Sequence, residues 1–520
     1  MLDYRKLQNG SDIRGVAIAG EENEPLNLGA EEAYRLTAAF ALWLSEKKKK
    51  KLSELTISVG RDSRLSGPEL KQIIIDTLLR LGVHTLDCGM ASTPAMFMST
   101  VFPKYRCDGA IMVTASHLPY NRNGFKYFDE DGGLNKGDIS TIISYAQSEG
   151  IIESIRVAQA DDKHVAEGGS KKPIAEKTDL MDTYAESLRN MIIEEVASWE
   201  NPTKPLKGLK IAVDAGNGAA GFYAKDILEP LGADVSASQF LEPDGSFPNH
   251  PANPENKQAM DSICQRVMDS KADLGIIFDT DVDRSAAVDE NGQPISRNGI
   301  VAMAAALVAD NHPGTTVVTD SVTSDELAVF LERVLGLKHL RFKRGYKNVI
   351  NKALELNEQG IDSQLAIETS GHGALKENYF LDDGAYLATK IVIKAAKLKA
   401  EEKGISTVIA ELKEPEEAVE KRYSITAKDF GEYGEQVLED FKFWAAKKAE
   451  EGCKISIVEP NFEGVRLNIE EGESKGWCLL RKSLHDPILP FNVEVSCGKC
   501  KDIISMVEEF LKGYEEVVVK

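Results

Sequence analysis

Short apolar, β-branched runs alternate with amphipathic stretches through the first three quarters of this chain. Leu55–Val59, Ala110–Val113, Lys210–Val213, Leu274–Phe278 and Thr316–Thr319 read as buried strands, most of them closing on a Gly, Asp or Ser turn. Amphipathic segments follow, among them Tyr184 to Val196, and this alternation is the mark of α/β units. The last hundred residues read differently. Strands over Lys454–Val458, Gly464–Ile469 and Phe491–Val495 precede a closing helix near Ile503–Leu511, an α+β pattern. A polar, Lys-rich stretch from Asp161 to Lys177 and a charged helical segment from Ala396 to Lys413 punctuate the chain. The expected organisation is three similar mixed α/β domains (1–177, 178–297 and 298–413) and a C-terminal α+β domain (414–520).

At 520 residues the chain is too long for a single core, which agrees with that division. A hydrophobic content of 42% with 28% charged residues is ordinary for a globular protein. No apolar run approaches the roughly 20 residues of a membrane span, and the N-terminus lacks an apolar signal core. The expectation is a cytoplasmic, non-secreted protein, with organelle import left open. A net charge of −21 argues against nucleic acid as a partner but not against a small phosphorylated one, which responds to local charge. The lysine run Lys47–Lys51 follows the apolar stretch Leu36–Leu44 and suits a helix C-terminus. Seven scattered cysteines fit a reducing compartment, and Cys497-Gly498-Lys499-Cys500 has no further zinc ligands at recognisable spacing.

Four local patterns carry chemistry. Thr114-Ala115-Ser116-His117-Leu118-Pro119 follows the run Ala110–Val113, a placement that presents a serine to solvent on a loop, with Lys126 ten residues on in the same loop. A serine hydroxyl needs a base, cation or metal to become reactive. Asp279, Asp281 and Asp283 alternate directly after a buried strand, so their carboxylates converge as hard oxygen ligands suited to Mg²⁺, and Arg284 adds a fork matched to phosphate. A strand-end DxD is equally the signature of a haloacid dehalogenase-like phosphatase with Asp279 as nucleophile. Gly216-Asn217-Gly218-Ala219-Ala220-Gly221, with Glu242 downstream, satisfies a dinucleotide fingerprint, although close helix–strand packing explains it more simply. Glu368-Thr369-Ser370-Gly371-His372 offers acceptors and donors for vicinal sugar hydroxyls, and His372 a proton shuttle.

Taken in order, Asp12-Ile13-Arg14-Gly15, Gly60-Arg61-Asp62-Ser63-Arg64, Thr114-Ala115-Ser116-His117, Asp279 to Arg284 and Glu368 to His372 resemble the α-D-phosphohexomutase family, most closely its phosphoglucomutase/phosphomannomutase branch. The resemblance runs from about residue 9 to residue 496. It implies four domains around a central cleft and an enzyme that interconverts hexose 1- and 6-phosphates of glucose or mannose. Ser116 would carry the transferred phosphoryl group and, with Asp279, Asp281 and Asp283, hold Mg²⁺. Lys126 and His372 would act as general acid and base. Arg14 and Arg284 would steady phosphate, Glu368 and Ser370 would read sugar hydroxyls, and Lys347 falls where a substrate-contacting lysine is found.

The resemblance also implies a hexose 1,6-bisphosphate activator, a small sugar phosphate as partner, and a monomer or small homo-oligomer. The family's distal phosphate loop reads Arg-x-Ser-Gly/Asn-Thr-Glu-Pro, and here it is Arg481-Lys482-Ser483-Leu484-His485-Asp486-Pro487. Arg481 and Ser483 match, while His485 replaces a hydroxyl donor and would donate more strongly when protonated. Ala366-Ile367 and Ser11 also depart from the usual pattern. A sugar-phosphate-binding relative with little or no turnover is therefore a second reading.

Overall fold

The computed structural model describes residues 3–20, 24–148, 150, 174–197, 201–483 and 486–519. The chain forms two compact units. One comprises residues 1–296 and 370–408, and the other 297–369 and 409–520.

In the first unit an eight-stranded mixed sheet places Gly109–Val113 between Thr56–Arg61, parallel to it, and Arg122–Asp129, antiparallel to it. Ile111, Met112 and Val113 are fully buried, as expected for a central strand covered on both faces. Helices Ala30–Lys48, Gly67–Arg80, Thr93–Val101 and Lys136–Gln147 accompany this sheet. Lys47 and Lys48 close the first of them, where cations suit the negative end of the helix dipole. A second sheet of four strands has Leu274–Phe278 parallel to Ile211–Asp214 and antiparallel to Ser285–Val288. Helix Gly384–Ala400 packs on Ser285–Val288 and on helix Leu180–Val196.

The charged segment expected to be helical over 396–413 is α-helical to Ala400, breaks, and resumes as a short 3-10 helix over Ile405–Ile409. Glu402 takes a left-handed conformation (φ 59°), and at Gly404 an added Cβ would lie 1.9 Å from Glu290 Oε1. Glu290 accepts hydrogen bonds from the amide and hydroxyl of Ser406, in the first turn of that 3-10 helix, which anchors the chain where the α-helix has broken. The polar stretch from Asp161 falls mainly outside the described residues, apart from Glu176–Lys177, which pairs as a short strand.

The second unit has a parallel set, Lys338–Arg341, Thr316–Thr319 and Leu365–Ile367, with helices Asn298–Ala309 and Tyr346–Glu358. It also has a six-stranded antiparallel sheet, ordered Lys454–Ile457, Val465–Glu471, Ser474–Leu480, Ile488–Cys497, Glu417–Ile425 and Val517–Val518. Helices Phe430–Glu450 and Cys500–Leu511 bury Val437, Phe441, Ile503, Val507 and Leu511 in one core with that sheet's apolar face.

Candidate active site

Ser116 stands three residues past the strand Gly109–Val113, in a left-handed conformation (φ 50°), with its amide donating to Thr114 Oγ1 at 2.9 Å. It is buried, at 2% exposure, and not displayed to solvent as the turn-rich sequence predicts. The reason is the aspartate loop: Ser116 Oγ donates to Asp279 Oδ2 at 3.0 Å. Exposed His117 places Nδ1 3.3 Å from the same hydroxyl. Lys126 also departs from expectation. It lies on the strand Arg122–Asp129, paired with Met112, and not in a loop. Its ammonium bridges Asp281 Oδ2, at 3.0 Å, and Asp283.

The loop after Leu274–Phe278 turns sharply. Val282 has φ 70°, a strained value for a β-branched residue. Two contacts hold it there. Gly384 N donates to Val282 O at 3.1 Å, and a Cβ on Gly384 would lie 2.5 Å from the Arg284 carbonyl carbon, so only glycine lets the helix come so close. The glycine-rich turn 216–221 serves the same loop. Ala219 N donates to Thr280 O at 2.8 Å, and an added Cβ on Gly218 would meet Thr280 O at 2.7 Å. Protein backbone fills the space a pyrophosphate would need, and Glu242 is paired with Lys225.

Asp279, Asp281 and Asp283 each offer an oxygen within 4.8 Å of one another, all buried. Among the described residues Asp281 Oδ1 and Asp283 Oδ1 have no hydrogen-bond partner. Buried carboxylate oxygens without donors are costly, and a hard divalent cation satisfies such a set, so these residues fit a metal ion. Burial and the charge of Asp283 push the Asp279 carboxyl up. For Asp283 burial works in the same upward sense, but Lys126, His372 and Arg284 outweigh it and hold the group below the usual range.

Arg284 Nε donates to Asp279 Oδ2 at 3.0 Å and its Nη1 to Asn253 Oδ1 at 3.2 Å, while Nη2 is buried without an acceptor. Arg14 donates to Ala115 O at 2.6 Å and to Asp12 Oδ2 at 2.9 Å. His372 is bridged in antiparallel fashion to Arg284, and its Nδ1 hydrogen-bonds Asp382. Burial lowers that imidazole's pKa, but Asp382 and Asp283 outweigh burial and raise it to about 9. Ser370 is buried, and its hydroxyl has no hydrogen-bond partner among the described residues.

Sequence reasoning missed several members. Arg64, fully buried, donates to the carbonyls of Ser116, Leu118 (2.6 Å), Pro119 (2.8 Å) and Arg122 (3.0 Å), clamping the serine loop from below. Its motif is visible in the sequence, but the carbonyls it serves are not. Thr93 Oγ1 donates to Asp281 Oδ2 at 2.5 Å, Asn253 orients Arg284, and Asp382 orients His372.

Within the second unit, buried Glu368 accepts from Gly345 N at 2.6 Å. Gly345 (φ 114°) caps helix Tyr346–Glu358, whose first turn carries Lys347. Arg481 is fixed through its amide to Pro490 O at 3.0 Å, and its buried Nε has no acceptor among the described residues. Ser483 Oγ accepts from Asp486 N at 3.2 Å. Leu484 and His485 lie outside the described residues.

Three family models match: phosphoglucomutase/phosphomannomutase α/β/α domains I, II and III, over residues 5–150, 182–292 and 296–415. A phosphoglucomutase/phosphomannomutase of Thermococcus kodakarensis is 30% identical over 98% of this chain and 100% of its own. A phosphomannomutase/phosphoglucomutase of Pseudomonas putida is 28% identical over 93% of this chain and 90% of its own. Among solved structures, a phosphoglucomutase/phosphomannomutase family protein of Burkholderia thailandensis superposes with a TM-score of 0.72 at 24% identity, covering 97% of this chain and 96% of that one. Among the described residues no helix is long and apolar enough to cross a membrane. With the serine, the aspartates and the arginine clamp in one assembly, and family models matching well over half its length, the chain belongs to the phosphoglucomutase/phosphomannomutase family, the α-D-phosphohexomutases.

Proposed function

We propose that this enzyme interconverts hexose 1-phosphate and hexose 6-phosphate, of glucose or mannose, through a phosphoryl group carried on Ser116. The observation that carries the reading is the Ser116 hydroxyl donating to Asp279 beside two buried carboxylate oxygens that lack donors. Asp279, Asp281 and Asp283 would hold Mg²⁺ together with the seryl phosphate. When bound, the ion would neutralise charge on the transferring group, the main demand of phosphoryl transfer.

In the forward direction the P–O bond to Ser116 breaks as a bond to the sugar's free hydroxyl forms, giving the hexose 1,6-bisphosphate. The second phosphoryl group then returns to Ser116 from the other end of the sugar. Lys126 and His372, each seated on a carboxylate, would serve as general acid and base: whichever of them is in its neutral form takes the proton of the attacking hydroxyl, and a proton is given back to the Ser116 oxygen as its P–O bond breaks. Arg14 and Arg284 steady the phosphate, and Arg64 fixes the loop that presents the serine. Glu368, Ser370 and Lys347 contact the sugar, while Arg481, Ser483 and His485 hold its far phosphate. Residues 414–520 act as the fourth, phosphate-binding domain, and a trace of hexose 1,6-bisphosphate activates the enzyme by charging the serine.

A phosphatase using Asp279 as nucleophile is disfavoured, since Asp279 Oδ2 already accepts from both Ser116 and Arg284. The test is incubation with Mg²⁺, glucose 1-phosphate or mannose 1-phosphate and a trace of the matching bisphosphate. We expect isomerisation and a single phosphoryl group mapped to Ser116. Binding without turnover for both sugars would favour the sugar-phosphate-binding relative instead.

A further inference from the structure

We propose that Glu463 is a positioning residue that sets the sugar-reading carboxylate and the distal phosphate arm in register. The inference rests on the assignment of Glu368 and Arg481 to substrate made above. Glu463 lies in the turn before the strand Val465–Glu471, far in sequence from the groups it serves. Its Oε2 accepts from Arg344 N at 3.1 Å and from the Ser321 hydroxyl. The next amide along, Gly345 N, donates to Glu368 Oε1 at 2.6 Å. Two successive backbone N–H groups therefore end on two carboxylates, one from the C-terminal sheet and one reading sugar. Gly345 adopts φ 114°, a conformation open to glycine, which lets adjacent amides point to different partners.

On its other side the Glu463–Gly464 step lies directly on the distal phosphate arm. Gly464 (φ 60°) approaches so closely that an added Cβ would be 2.2 Å from Leu480 O and 2.8 Å from Arg481 Cα. The Glu463 carboxylate is also the leading acidic partner of the Arg481 guanidinium, opposing the effect of its burial. One side chain thus ties the 344–345 step, and through it Glu368, to the backbone that carries Arg481. A mutase must accept its substrate in two orientations, so the spacing between hydroxyl reader and phosphate site has to be held while neither end of the sugar is favoured.

The experiment is steady-state kinetics on glucose 1-phosphate with saturating Mg²⁺ and bisphosphate, together with melting temperatures. Glu463→Ala is expected to raise KM about tenfold with a smaller change in kcat, the scale of one lost charge-assisted hydrogen bond. Glu463→Gln keeps an amide oxygen for both donors and is expected to restore KM to within about threefold of the parent. A purely structural role would lower the melting temperature and leave KM alone. The proposal is overturned by a parental KM in Glu463→Ala while Glu368→Gln and Arg481→Ala raise it. If those two controls leave KM unchanged as well, it is the substrate assignment that fails. Should Glu463→Ala not fold, Ser321→Ala removes one of the two donors, and an unchanged KM there overturns the proposal equally.

Discussion

Around Asp279, Asp281 and Asp283 the first unit buries three carboxylates with Lys126 and Arg284, and leaves Asp281 Oδ1 and Asp283 Oδ1 without donors. Around Arg466 the second unit also buries charge, but the terminal nitrogens find acceptors in Ser321 O (3.0 Å), Thr323 O (3.1 Å) and Asp325 Oδ1 (3.0 Å). The guanidinium lies 3.6 Å from the centre of the Trp477 ring, and Trp477 Nε1 in turn donates to Glu494 at 3.1 Å. The Arg466 cluster is nearly complete within the protein, as a structural tie must be. The aspartate cluster keeps two acceptor oxygens that no donor among the described residues meets. Burial of charge alone therefore does not separate the two clusters; what does is that one leaves only Arg466 Nε unmet and the other leaves two anionic oxygens side by side, the arrangement that suits a cation.

The most severe way to break this contrast is at the serine and its aspartates. Ser116→Ala is expected to abolish turnover, and Asp281→Asn to lower kcat/KM by about 10³-fold or more. Neither should lower the melting temperature much: Ser116→Ala keeps the loop's backbone bonds, and Asp281→Asn weakens the pair with Lys126 but also relieves repulsion with Asp279 and Asp283. Phosphorus NMR of the isomerisation, beside thermal melts, checks both. Removing Arg466 should do the reverse. Arg466→Met is expected to cost about 3 kcal/mol in denaturant unfolding by leaving several buried acceptors unpaired.

A gentler test adds the proposed cation. Mg²⁺ should raise the melting temperature of the parent in proportion to its occupancy, about 2.7 kcal/mol at a hundredfold excess over Kd. That response should be absent in Asp281→Asn. The smallest effect concerns the Arg466 side. Burial, only partly offset by Arg466, pushes the Glu494 carboxyl up to about 7. A carboxyl raised in the folded state contributes stability in full below its unfolded value near 4.5, and that contribution is lost as pH rises through about 7. Glu494→Gln should therefore gain on the order of 1 kcal/mol over the parent at pH 8 and nothing at pH 4, read from urea midpoints.

The aspartate loop was legible in the sequence because alternation after an apolar strand is a local pattern. The strands Leu274–Phe278 and Thr316–Thr319 were legible for the same reason, each bounded as its composition predicts. The burial of Ser116 was not, because Gly- and Pro-rich turns report local conformation only. What covers this one is Asp279, from a distant part of the chain. Arg64 was visible as part of a motif, yet its partners are backbone carbonyls, which have no letter in the sequence. The end of the α-helix at Ala400 was hidden likewise, since the Glu290 carboxylate that sits against Gly404 and takes the Ser406 donors comes from a distant part of the chain.

The left-handed backbone at Ser116 has a consequence for anyone who improves this protein by selection. At φ 50° an L-residue carries about 1 kcal/mol of steric cost that glycine escapes. A library sorted for heat resistance alone would thus be drawn toward glycine at position 116. Thermal robustness and the proposed phosphoryl transfer would pull this position in opposite directions, so any such screen needs turnover as its second gate.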